Sequence, residues 1–296
     1  MSSTEKVGFV GLGLMGQGMA VNLVAKGYDL TVIAHRNRAP VDDLVGRGAH
    51  EASSLTDLAQ NCTVIFLCLT GAPEVAAVVN ALKPALQKGA VIIDCSTSDP
   101  TVSLAVAADL AALGVDYADA PLGRTPKEAW AGTLDCMVGA TDAVFARVQP
   151  VIATWAGKIV HIGGVGDGHK MKLLNNFLSL GYAALYSEAL ALSRKVGIPV
   201  TTFDQVIRGG RMDCGFYQTF MGYTIEGNRE AHRFTLTNGF KDMRYVEAMA
   251  NAAAMTTPLA SAVKNSFALA VANGGDGPED YVPHLADFIA KANGAL

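Results

Sequence analysis

The sequence predicts an α/β fold in two parts: a doubly wound parallel sheet, then an all-helical half, joined by one long helix. Three observations predict it. Lys6-Val-Gly-Phe-Val10 reads as a buried strand and runs straight into Gly11-Leu-Gly-Leu-Met-Gly16, followed by an amphipathic helix to Gly27. Short apolar runs then alternate with helical periodicity as far as Gly163-Gly164, a pattern that builds a parallel sheet with helices on both faces. Beyond residue 164 the periodicity is almost wholly helical. These features give a Rossmann-type domain over residues 1–164 and an all-helical domain over 165–296, entered by a long interdomain helix.

The first turn carries the chemistry of a dinucleotide site. Gly11 permits the tight turn, Gly13 lets a pyrophosphate approach the backbone, and Gly16 lets helix and strand pack closely. With Leu12, Leu14 and Met15 they bring a helix N-terminus to the diphosphate. The second strand is Leu30-Thr-Val-Ile-Ala34. An NAD-binding domain usually ends this strand in a carboxylate for the ribose 2′-hydroxyl, but here it ends in His35-Arg36-Asn37-Arg38. Two guanidiniums favour a 2′-phosphate, hence NADP over NAD, with Arg36 and His35 as the candidate contacts. An exposed basic loop is the other reading.

Further strands are expected at 63–69, 90–94 and 115–118, with helices near 73–82 and 101–112. Ligands bind at the carboxyl ends of such strands. The loops there are Leu69-Thr70-Gly71, Cys95-Ser96-Thr97-Ser98 and Ala120-Pro-Leu-Gly-Arg-Thr125. Strand signals return at 134–138 and 159–162, around a helix at about 142–153. In the helical half we expect helices at about 169–196, 201–209, 213–225, 237–255, 258–273 and 279–293. Pro199, Pro258, Gly274-Gly275 and Pro278 mark connections.

The long helix is mostly apolar, yet Lys172, Asn175, Asn176 and Ser179 fall at i, i+3, i+4 and i+7, on one face. On a largely buried helix this is a costly arrangement. Burial and the nearby helix N-terminus both disfavour the ammonium form, which suits a lysine that exchanges protons. A snorkelling lysine beside packed amides is the alternative.

Composition excludes several classes. Lys and Arg number 23 against 27 Asp and Glu, a net charge of −4, so nucleic acid and anionic membranes are not expected partners. The apolar run from Val7 to Ala25 is broken by glycines at 8, 11, 13, 16 and 18, and no uninterrupted stretch is long enough to span a bilayer. Five cysteines without a paired spacing suit a reducing cytoplasm, and six dispersed histidines suggest no metal site. An apolar helical half of this size is expected to pair with a copy of itself, as a homodimer or homotetramer.

Four landmarks carry a resemblance over nearly the whole chain. They are Gly11-Leu-Gly-Leu-Met-Gly-Gln-Gly-Met-Ala-Val-Asn-Leu23, Asp119-Ala-Pro-Leu-Gly-Arg-Thr125 with Gly132-Thr-Leu134, Gly166-x-Gly168-x-x-x-Lys172-x-x-Asn175-Asn176, and Phe240-Lys241-Asp242. The chain resembles the β-hydroxyacid dehydrogenase family, 3-hydroxyisobutyrate dehydrogenase-like enzymes that move a hydride between a nicotinamide and a short hydroxy acid or semialdehyde. The resemblance implies that Lys172 is the general acid/base and that Asn176 orients substrate or lysine. It also implies that Thr97 and Lys241 line the cofactor, with Ser96 beside that site; Leu69, in the loop that leaves the strand at 63–69, is a further candidate cofactor contact.

Many members carry Ser-Gly-Gly where this chain has Gly123-Arg124-Thr125, in the loop that holds the substrate's acid group. The Gly-Arg-Thr form, with Ser179 after Asn175, resembles the sulfolactaldehyde-reducing branch. Arg124, Asn175 and Ser179 would then each serve one sulfonate oxygen. A surface arginine, or one paired with Glu128, is the alternative. Rivals to the sulfonate reading are a carboxylate-specific member acting on 3-hydroxyisobutyrate or tartronate semialdehyde, and a non-catalytic dinucleotide-binding module.

Overall fold

A computed structural model describes residues 5–296. Its described residues up to Lys172 form one compact unit, and Leu173–Leu296 form a second.

The first unit contains β1 (Lys6–Val10), α1 (Gly16–Ala25), β2 (Asp29–Val32), α2 (Ala39–Gly46), β3 (His50–Glu51), α3 (Leu55–Asn61) and β4 (Val64–Leu67). It continues with α4 (Ala72–Leu82), β5 (Val91–Asp94), α5 (Pro100–Ala111), β6 (Asp116–Asp119) and β7 (Leu122–Gly123). Next come α6 (Pro126–Ala131), β8 (Leu134–Gly139), α7 (Asp142–Ile152), β9 (Ala156–Gly163) and the start of α8 (Asp167–Lys195).

The sheet runs β3-β2-β1-β4-β5-β6-β8-β7, with β9 paired to β8. From β3 to β6 every pairing is parallel, whereas β8 is antiparallel to β6 and to β7. The order reverses direction between β1 and β4, which is where an open α/β sheet offers its ligand crevice. The central strands β1, β4, β5 and β6 are buried nearly throughout, which explains the apolar runs there. Val7, Phe9, Val64, Phe66 and Ile93 pack into one core, while Ile65, Leu67, Ile92 and Tyr117 pack into the other. Phe66 stacks on Phe9 at 5.7 Å and meets Trp155 edge-on at 6.0 Å. Deleting such a ring from a filled core costs about 3–5 kcal/mol.

The second unit comprises the rest of α8 with α9 (Val200–Ile207), α10 (Gly215–Glu226), α11 (Leu236–Ala252), α12 (Pro258–Ala272) and α13 (Leu285–Ala292). Its core gathers Leu173, Leu180, Tyr217, Phe220, Met243, Phe267 and Leu285. A side chain at Gly239 would meet the Phe267 ring at 2.9 Å and Leu180 at 3.2 Å, so this glycine lets α11 lie close against α8 and α12.

Two sequence expectations need correction, and one stretch for which none was made holds three elements. The last helix begins at Leu285, because Val282-Pro283-His284 forms a 3-10 turn in which the Tyr281 N–H donates to His284 Nδ1. Residues 39–61, passed over in the sequence, hold α2, β3 and α3. And α8 is not largely buried: Leu174 is 49% and Leu178 61% exposed, on a face that continues through Tyr182, Leu185 and Leu192.

Candidate active site

The glycine-rich turn has the shape that a diphosphate requires. Gly11 sits at φ +101°, and a Cβ there would lie 2.2 Å from the Cys68 carbonyl oxygen, so the loops after β1 and β4 touch. A Cβ on Gly16 would lie 2.0 Å from the Gly11 oxygen. A Cβ on Gly13 would meet nothing within 4 Å, which leaves its backbone open to a ligand. Leu14 is exposed and Leu12 and Met15 are half-buried around this opening. The N-cap residue Met15 offers no side-chain cap to α1, and the Gln17 N–H already donates to the Gly13 carbonyl at 3.1 Å, so it is the N–H groups ahead of Gln17 that can face an anion. The turn therefore fits a dinucleotide.

Beyond β2, His35 and Arg36 are both exposed. The two guanidiniums of this loop differ in what surrounds them. Arg38 donates to both Glu51 oxygens, at 2.8 and 2.7 Å, and its Nε lies 3.0 Å from Asp42. The hydrogen-bonded Arg38 holds the Glu51 carboxyl below the usual range. Arg36 makes no ion pair among the described residues. A groove of about 370 Å³ lies at this end of β2, lined by Ile33, Ala34, Glu51, Ala52 and Ser53.

The ends of β4, β5 and β6 are joined by buried polar groups. The Leu69 N–H donates to Ser96 Oγ at 2.9 Å, and the Ser96 N–H donates to Asp94 Oδ1 at 2.9 Å. Thr97, next along, is half-buried. Asp119, at the end of β6, accepts the N–H groups of Gly166 (2.6 Å) and His169 (2.7 Å) and so caps α8 from another element. Burial pushes the Asp119 carboxyl up, opposed by His169 and by these N–H donors. A Cβ on Gly168 would lie 2.5 Å from the Met137 oxygen, so the first turn of α8 is pressed against β8. One turn past His169 stands Lys172, half-buried. Cys68, beside this loop, is no acid/base candidate, since burial pushes its thiol up to about 12.

After β6 the chain passes Gly123 and reaches Arg124 at φ +75°, one of two positive-φ non-glycine residues among those described. The Arg124 Nε donates to Asp135 Oδ1 at 3.1 Å, on β8, and the side chain is 51% exposed. The pairing of Arg124 with Glu128 weighed from the sequence is not what forms. Glu128 instead accepts from the N–H (3.1 Å) and hydroxyl (2.5 Å) of Thr125, closing a capping box at the start of α6.

In the second unit Asn176 is buried, and its Nδ2 donates to Asp242 Oδ2 at 2.7 Å. Asn175 is exposed and donates to Asn176 Oδ1 at 3.3 Å, while the Ser179 hydroxyl donates to the Asn176 carbonyl at 3.3 Å. Lys241 Nζ lies 3.2 Å from Asp242 Oδ1, a charge contact rather than a well-directed hydrogen bond, and 5.5 Å from the Tyr245 ring centre.

The structure thus brings Gly11, Leu69 and Ser96 together in the first unit, and Asn175, Asn176 and Lys241 together around Asp242 in the second. Asp119, His169, Asp135 and Asp242 hold the residues that the sequence singled out, but were not singled out themselves. Asp119 and Asp242 stand inside the landmarks given above, and Asp119, as a carboxylate at the end of an apolar strand, is a readable signal. Nothing local marked His169 or Asp135.

Residues 6–163 match the family described as the NAD binding domain of 6-phosphogluconate dehydrogenase, and residues 166–283 that described as NAD-binding of NADP-dependent 3-hydroxyisobutyrate dehydrogenase. The chain is 38% identical over 211 residues to 2-(hydroxymethyl)glutarate dehydrogenase of Eubacterium barkeri, covering 70% of this chain and 69% of that protein. It is 30% identical over 289 residues to 3-sulfolactaldehyde reductase of Escherichia coli K12, covering 97% and 96%. The structure of Mycobacterium tuberculosis 3-hydroxyisobutyrate dehydrogenase with L-serine matches with a TM-score of 0.84 at 26% identity, over 96% of this chain and 99% of that one. The chain belongs to the β-hydroxyacid dehydrogenase family. It is an NAD(P)-dependent oxidoreductase of that type.

Proposed function

We propose that the protein reduces a short anionic semialdehyde, 3-sulfolactaldehyde first among them, to its hydroxy acid with NADPH, or runs the reverse reaction. The bound nicotinamide supplies or accepts the hydride at the carbonyl carbon. Lys172 protonates the developing alkoxide in reduction and deprotonates the alcohol in oxidation, and Asn176, fixed by Asp242, orients its partner. Gly11 to Gly16 hold the pyrophosphate, Arg36 and His35 the 2′-phosphate, and Leu69, Thr97 and Lys241 line the remainder. Arg124, with Ser96, Gly123, Thr125, Asn175 and Ser179, recognises the acid group. In this reading residues 1–164 serve the dinucleotide and 165–296 serve substrate and self-association, in a cytoplasmic homodimer or homotetramer. None of the helices described is long and apolar enough to cross a membrane.

The observation that carries the substrate assignment is Arg124. An L-residue held at φ +75° costs roughly 1–2 kcal/mol, and such strain is kept where the side chain is needed. Its guanidinium is a rigid fork of donors suited to an oxyanion. The 30% identity with a sulfolactaldehyde reductase over almost the whole chain is in keeping with this choice, but 32% identity with a 2-hydroxy-3-oxopropionate reductase over 91% of the chain is equally in keeping with a carboxylate, so Arg124 alone favours the sulfonate. A carboxylate substrate is the second reading, favoured by the 38% identity with a glutarate-type dehydrogenase. The test is kcat/KM of the purified protein with NADP+ and NAD+ on 2,3-dihydroxypropane-1-sulfonate, 3-hydroxyisobutyrate and 2-(hydroxymethyl)glutarate. The sulfonate with NADP+ should give the largest value. A larger value for either carboxylate overturns the sulfonate assignment and leaves the dehydrogenase standing.

A further inference from the structure

We propose that His169 is a positioning residue, a buried tie that sets where Lys172 stands relative to the cofactor-side loops after β4 and β5. It rests on the reading of Lys172 as acid/base. His169 is wholly buried, so its imidazole answers only to protein groups. Nε2 lies 3.0 Å from the Ser96 carbonyl, which can only accept, so Nε2 carries a hydrogen. Nδ1 lies 2.7 Å from the Ser103 hydroxyl. Asp94 and Asp119 flank the ring, each with a carboxylate oxygen 3.9 Å from a ring nitrogen.

Ser96 in turn receives the Leu69 N–H on its hydroxyl oxygen. One imidazole therefore strings together the first turn of α8, the loop after β5 and, through Ser96, the loop after β4. Lys172 follows three residues later, about one helical turn along the same helix. The backbone of that turn is already clamped by Asp119 and by the close approach of Gly168 to β8. The ring adds what a backbone clamp cannot: a directed bond from the helix to the loop that carries Thr97. A residue serving only to fill space would not need two polar partners, since an apolar side chain avoids the cost of burying an imidazole.

A misplacement of about 1 Å can cost a factor of about 10² in rate without weakening binding. The experiment compares His169→Leu, His169→Gln, Ser103→Ala and Lys172→Ala, reading kcat, KM for NADPH, and the kinetic isotope effect with NADPH deuterated at the transferred position. His169→Leu should lower kcat about 10–100-fold, leave KM for NADPH within about threefold and raise the isotope effect on kcat. His169→Gln, whose amide can both donate and accept, should recover most of the loss. Ser103→Ala should move kcat and isotope effect the same way by a smaller factor, and it carries the test with His169→Gln if the leucine variant does not fold.

A merely structural His169 would lose activity in proportion to folded protein, with an unchanged isotope effect and no advantage of glutamine over leucine. That result, or a wild-type kcat in Ser103→Ala and His169→Leu, overturns the proposal. If Lys172→Ala keeps its kcat, the acid/base reading fails and this inference with it. If Lys172→Ala is inactive but His169→Leu is not impaired, only this inference fails.

Discussion

At the scale of single residues, Arg124 combines two opposing terms. Arg124→Gly relieves the left-handed strain, roughly 1–2 kcal/mol, and loses a half-exposed ion pair with Asp135 worth at most about 1 kcal/mol. The variant should therefore melt at or above the wild-type temperature in a thermal scan. If Arg124 binds the acid group, the same variant should raise KM for an anionic substrate about 10–100-fold, from a charge-assisted bond of roughly 1.5–3 kcal/mol. Arg124→Lys should recover only part, because a point charge does not replace the fork. A loss of Tm with unchanged KM would make the residue a loop fastener. The sequence exposed the substitution of Arg124 into a glycine position but not its partner, since Asp135 comes alongside only through the pairing of β7 with β8. Arg36 and Arg38 were equally legible as basic residues. Only the folded chain shows Arg38 committed to Glu51 and Asp42. Arg36→Ala should accordingly weaken NADPH more than NADH, measured as the ratio of kcat/KM values, and equal weakening would reduce the loop to an exposed basic turn.

At the scale of elements, legibility followed burial and length. Strands covered on both faces show as unbroken apolar runs, and long helices show their period. The two-residue strands β3 and β7 have no period to show. The short helix α6 has a readable start in Thr125-Pro-Lys-Glu128, a capping-box spacing in a stretch where the sequence pointed to Thr125 as a ligand group and to Glu128 as a partner of Arg124. One cross-element tie gives a pH-dependent test. Arg147 on α7 donates to both Glu5 oxygens, at 2.8 and 3.1 Å, and to the Gly89 carbonyl at 2.7 Å. The Arg147 hydrogen bonds hold the Glu5 carboxyl below its ordinary value despite partial burial. A lowered folded value contributes stability that is complete above the unfolded glutamate pKa, about 4.3, and is lost as pH falls through the folded one. Arg147→Met should thus cost about 1–3 kcal/mol in urea unfolding at pH 7, with the difference from wild type shrinking in acid. A difference that persists in full below pH 3 would assign the loss to packing and to the Gly89 carbonyl bond instead.

At the scale of the molecule, the glycine turn, the strand alternation and the helical half were enough to give the fold, because each is a local pattern repeated along the chain. The tertiary ties were not legible: Asp119 to the first turn of α8, His169 to Ser96 and Asp242 to Asn176 link residues far apart in sequence. Those ties hold a helix that begins in one compact unit and continues into the other, with Lys172 the last residue of the first. The role of Lys172 is therefore best tested on Lys172→Ala. General acid/base groups contribute ~10²–10⁴-fold, so kcat on the best substrate should fall by about that factor. NADPH affinity, followed by its fluorescence on binding, should stay close to wild type, because the pyrophosphate turn lies on β1 and α1. A variant that keeps a substantial fraction of wild-type kcat, or one that loses NADPH binding in step with its activity, would contradict the assignment of Lys172 as the proton donor.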